Sequence, residues 1–72
     1  MTDLIEFYKS YAANLPNPDE RHIILETIEV LKTTDTPEGL IGKIMAAVPY
    51  DKSIVRRVLR VAAKHKRAAY AR

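Results

Sequence analysis

Asp51-Lys52-Ser53-Ile54-Val55-Arg56-Arg57-Val58-Leu59-Arg60-Val61-Ala62-Ala63-Lys64-His65-Lys66-Arg67 divides its residues between two sides of one helix. At about 100° per residue, Ile54, Val55, Val58, Val61, Ala62, His65 and Ala69 share an arc of roughly 120°. Arg56, Arg57, Arg60, Lys64 and Arg67 share about 100° on the opposite side. One side is expected to bury and the other to carry five positive charges. After Asp51 the chain has no acid. No i,i+4 acid–base pair can therefore form within this helix, whereas solvated helices ordinarily mix signs.

The same split runs through the whole chain. Residues 1–51 hold four bases and all nine acids, and residues 52–72 hold eight bases and no acid, so the two parts carry −5 and +8. A separation this sharp points to a surface built to meet an anion or an acidic partner. At 72 residues, 47% hydrophobic and 29% charged, the chain suits one small helical domain with a modest core. It has no cysteine, which excludes a disulfide scaffold, a thiol nucleophile and cysteine-ligated zinc. No apolar run approaches the roughly 18 residues of a membrane span. The opening Met-Thr-Asp-Leu-Ile-Glu lacks the basic start and apolar run of a signal peptide. The expected setting is the cytoplasm, with no membrane partner.

Working back from Asp51, breakers delimit three earlier helices. Leu4, Ile5, Tyr8, Tyr11, Ala12 and Leu15 recur at helical spacing, and Asp3 with Glu6 has the form of a capping box, so helix 1 is expected over 3–15. Leu15-Pro16-Asn17-Pro18 ends it. Asn17 then caps helix 2, with Pro18 in its first turn, and Ile24, Ile28 and Leu31, widened by Ile23, Leu25 and Val30, give it a broad apolar side over 18–32. Thr36 and Pro37 open helix 3 over 37–48, with Leu40, Ile41, Ile44, Met45 and Val48 inward. Gly39 and Gly42 serve either close helix packing or simply weaken the first turns, each at about 1 kcal/mol. Pro49-Tyr50-Asp51 is the last break, and Asp51 or Ser53 caps helix 4 over 52–68, with a frayed basic end after Lys66. The expected fold is all-α, a compact bundle of four helices.

Ile44-Met45-Ala46-Ala47-Val48-Pro49-Tyr50-Asp51-Lys52-Ser53-Ile54-Val55-Arg56-Arg57-Val58-Leu59 resembles the helix-turn-helix unit of bacterial and phage transcription regulators. Val48 matches the apolar end of the first helix, Asp51-Lys52-Ser53 the polar lead, and Val55, Val58 and Leu59 the apolar anchors of the recognition helix. The similarity spans residues 37–67. Pro49 stands at the usual turn glycine, Met45 where a small residue is usual, and no pair of strands follows to form a wing.

The resemblance implies that helices 3 and 4 form the helix-turn-helix and that helix 4 enters the DNA major groove, N-terminal end foremost. Lys52, Ser53, Arg56 and Arg57 would then approach bases or phosphates, and Arg60, Lys64 and Arg67 would face phosphates. One copy would meet one half-site, so a homodimer through helix 1 would serve tight binding. The competing expectation is a small protein-binding regulator. In that reading the same basic side presses on an acidic surface such as a transcription-machinery subunit, in the manner of a phage protein that inhibits or redirects a host RNA polymerase or defence complex. No catalytic constellation is present, so no enzymatic activity, cofactor or metal is expected. His22 beside Asp19, Glu20 and Glu26 reads as a surface histidine, and His65 as a residue of the buried side of helix 4.

Overall fold

The computed structural model describes residues 2–34 and 38–70. Four helices follow in order: α1 (Thr2–Ala13), α2 (Pro18–Lys32), α3 (Leu40–Ala47) and α4 (Lys52–Tyr70). The chain is therefore all-α, a four-helix globule with a radius of gyration of 11.6 Å.

Helix α2 is the element on which the others lie. Asn17 starts it: its side-chain oxygen accepts hydrogen bonds from the backbone N–H groups of Asp19, at 2.9 Å, and Glu20, at 3.1 Å. These donors have no partner within the helix, and Pro18 in the first turn has none to offer. Ile23, Ile24, Thr27, Ile28 and Leu31 are buried, forming two adjoining rows at i,i+3/i+4 spacing. Thr27 enters this apolar wall at little cost because its hydroxyl donates to the Ile23 carbonyl at 2.8 Å. Leu25, expected to widen the buried side, is instead 46% exposed. It falls roughly 100° from Ile24, beyond the reach of any neighbouring helix.

Helix α1 covers one row of that wall. Ala12 is buried, and Ile5, Phe7, Tyr8, Tyr11 and Leu15 pack partly against the core. Phe7 stacks on Tyr11 with ring centroids 5.7 Å apart and planes 18° from parallel. Asp3 lies inside the first turn of α1 and not ahead of it, so it acts on the positive helix end through its charge. The helix closes at Ala13, and the Arg21 guanidinium reaches back from α2 to donate to the Leu15 carbonyl at 3.1 and 3.3 Å.

Helix α3 begins at Leu40, later than the expected Pro37. The expected cap at Thr36 and Pro37 lies outside the described residues. Gly39 explains the late start: its φ of 71° is left-handed, a conformation that ends regular helix for side-chain-bearing residues. Neither glycine serves close packing, since a Cβ at Gly39 or Gly42 would meet nothing within 4 Å. Ile44 and Val48 are buried, and Leu40 and Met45 pack partly on the core. Ile41, expected inward, is 58% exposed.

Helix α4 buries Val55, Val58 and Ala62, with Leu59 partly buried beside them. The buried stripe is rotated by about 50° toward the basic side relative to the expected arc. Ile54 and Val61 consequently sit at its edge, 36% and 38% exposed, and His65 and Ala69 are exposed. Helix α4 runs through Tyr70, two residues beyond the expected end at 68. Helices α3 and α4 each make their main contacts with α2 and not with one another.

The two glycines separate backbone strain from helix propensity. Gly42→Ala is expected to raise stability by about 1 kcal/mol, and Gly39→Ala to lower it by about 1 kcal/mol through the left-handed strain. Urea unfolding followed by circular dichroism measures both; a shift of the same sign for the pair would contradict the assignment of Gly39.

Candidate nucleic-acid interface

The turn that aims α4 is tied to α2. Val48 is buried, and the Tyr50 N–H donates to its carbonyl at 2.9 Å. The Tyr50 hydroxyl lies 2.9 Å from His22 Nδ1 and 3.5 Å from Asp19 Oδ1, with the two rings edge-on at 5.5 Å and 76°. His22 Nε2 is in turn 3.3 Å from Glu26 Oε1. Partial desolvation, and then the Asp19 carboxylate, push the Tyr50 phenol above its ordinary value. This chain of contacts fixes the Val48–Asp51 turn on the first half of α2 across 28 residues of sequence. It also accounts for His22 as a structural surface histidine. Among the described residues no group of three His, Cys, Asp or Glu is arranged to hold a metal ion.

Asp51 starts α4. Its Oδ1 accepts from the Ser53 N–H at 2.9 Å and from the Ser53 hydroxyl, and its carbonyl accepts from Val55 N–H at 3.0 Å. The hydroxyl and the backbone N–H of Ser53 hold the Asp51 carboxyl below its ordinary value. The only acid at the N-terminal end of α4 is thus turned into its own helix, and the Ser53 hydroxyl, expected to meet DNA, has its proton committed to this cap.

The other expected contact residues come together on one side of α4. Lys52, Arg56, Arg57, Arg60, Lys64 and Arg67 are all exposed. Lys52, Arg56, Arg60 and Lys64 form an i,i+4 row, flanked by Arg57 and Arg67, over roughly 22 Å of helix. Among the described residues the close acid–base contacts are Lys9 with Glu6 at 3.8 Å, His22 Nε2 with Glu26 at 3.3 Å and Lys32 with Glu29 at 3.1 Å. All three lie on α1 and α2, and none involves α4. The acidic half therefore spends part of its charge on itself, while among the described residues the basic side of α4 enters no ion pair. Lys66 stands apart, half-buried on the inner side. His65 is exposed, its ring 5.5 Å from that of Tyr11, which corrects the expectation that it is buried. Arg72 lies outside the described residues.

One feature escapes the sequence pattern. Because α3 and α4 lean on α2 and not on each other, an open groove of about 380 Å³ separates them, lined by Ile41, Met45, Leu59, Arg56 and Arg60. Helical spacing alone assigns Ile41 and Met45 to a core; the position of α4 leaves Ile41 exposed and Met45 only partly covered. Comparison with family models, with curated proteins and with solved structures finds no match for the chain.

The Asp51 cap gives a pH test. A carboxyl held below its ordinary value stabilises the fold above the unfolded-state value and loses that contribution as pH falls through the folded one. Asp51→Ala is expected to lower the urea midpoint at pH 7, and the gap to the unsubstituted protein should close as pH falls below about 4. A gap of equal size at both ends would show that Asp51 acts without its charge.

Proposed function

We propose that this protein is a small DNA-binding regulator that meets duplex DNA with the basic side of α4. The observation that carries the reading is the row of exposed cations, in no ion pair among the described residues, on a helix whose other side is packed on α2. A rigid helix presenting arginine and lysine, with no carboxylate among them, is what phosphate recognition requires.

In this reading the first turns of α4 enter the major groove. Arg56 and Arg57 are the residues placed to reach base edges, where a guanidinium donates to both acceptors of guanine. Arg60, Lys64 and Arg67 contact phosphates and set the register without reading sequence. Lys52 adds charge to a helix end that already favours anions. The inward-turned Asp51 removes the one repulsive group from that end. Helices α3 and α4 with their four-residue turn then act as a helix-turn-helix, with α2 as the wall that fixes their angle. Two copies would read two half-sites.

Fluorescence anisotropy of a labelled duplex across a salt series tests this. Log affinity should fall linearly with log salt at a slope of about −0.9 per phosphate met. Lys64→Ala and Arg67→Ala should each reduce that slope by about 1 with the circular dichroism spectrum unchanged. Absence of binding even at low salt would overturn the reading.

A further inference from the structure

We infer that the groove between α3 and α4 docks an acidic amphipathic helix of a partner protein, its aliphatic anchors seated among Ile41, Met45 and Leu59 and its carboxylates on Arg56 and Arg60. Ile41 is 58% exposed, the most exposed large aliphatic among the described residues. With Met45 one turn further along α3, and Leu59 facing them from α4, it makes a continuous apolar strip. Two uncovered helices with an aliphatic trough between them match the way a helix is laid into a groove, with anchors at i, i+3/i+4 and i+7. Arg56 and Arg60 lie one turn apart on the α4 wall, so carboxylates spaced one turn apart on the incoming helix would meet both.

The lining itself selects this occupant. A second copy pairing groove to groove would bring two Arg56–Arg60 pairs together, like charges with no acid between them. An acyl chain with a carboxylate has the right chemistry at its head, but small-ligand sites enclose most of their ligand, and this groove is open along its length. Duplex DNA offers the aliphatic strip little beyond thymine methyl groups. The inference stands apart from the DNA reading, because Ile41 and Met45 lie on α3 and away from the basic row. The two meet at Arg56 and Arg60, so partner helix and duplex are expected to exclude one another.

The probe is a fluorescein-labelled stapled helical peptide with leucines at i, i+4 and i+7 flanked by glutamates. A second peptide with alanine for each leucine, and decanoate, serve as controls. The leucine peptide should bind saturably and be displaced by duplex DNA. Ile41→Ser should weaken it by roughly tenfold while changing duplex affinity less than about twofold; Arg60→Gln should weaken both. Ile41 is exposed, so serine there leaves the core intact. Equal binding of the alanine peptide, indifference to Ile41→Ser, absence of peptide binding, or decanoate occupying the groove where the peptide does not would each overturn the inference. Peptide binding without duplex binding would leave it standing and remove the DNA reading instead.

Discussion

Two adjoining rows of branched side chains on α2, with Ile23 and Ile24 fully buried and Ile28 and Leu31 nearly so, are the constraint on which the other helices depend. Helices α1, α3 and α4 all use that wall, and a chain this short has no second core to offer. Truncating one such isoleucine to alanine typically costs about 2–5 kcal/mol, against a total near the low end of the roughly 5–15 kcal/mol of ordinary domains. The wall is also why the charges lie where they do. Once Val55, Val58 and Ala62 of α4 are committed to α2, helical geometry leaves Arg56, Arg57, Arg60, Lys64 and Arg67 facing outward.

Much of this is legible in the chain. Asn17, and either Asp51 or Ser53, read as caps because a side-chain oxygen there satisfies N–H groups that the helix leaves free; Asn17 and Asp51 are the ones that make those bonds. Pro16 with Pro18, and Pro49, mark two of the breaks, and the charge split announces a basic side. What sequence periodicity leaves open is which part of a wide apolar arc meets a neighbour. The arc of α4 is wide enough to bury Ile54 and Val61 or to leave them at the edge; the position of α2 decides. Ile41 and Leu25 are misread for the same reason, since a helical period says that residues share a side and not that another helix covers it. The Tyr50–His22 contact joins residues 28 apart, with no local pattern to announce it. Gly39 is a different case: its left-handed φ is a known use of glycine, masked by a helical pattern that runs on either side.

Electrostatics and packing combine at the α3–α4 end of the molecule. The acids of α1 and α2 are partly met by Lys9, His22 and Lys32, whereas α4 has no internal counter-charge. The result is a dipolar surface with its positive side on α4, the kind of field that steers an anionic partner. Beside it, the open groove adds apolar area to the same guanidinium groups. A single pair of arginines, Arg56 and Arg60, thus borders both the outward basic row and an aliphatic trough, so that partners proposed for the two surfaces would exclude one another.

The most direct measurement of the central claim, that the basic side of α4 is the face that meets DNA, is an amide chemical-shift map of the protein titrated with a short duplex. The account predicts perturbations concentrated on α4 from Lys52 to Arg67 and on the Val48–Asp51 turn, with α1 and the outer side of α2 unmoved. Perturbations centred on α1 or α2, or none at low salt, would contradict it.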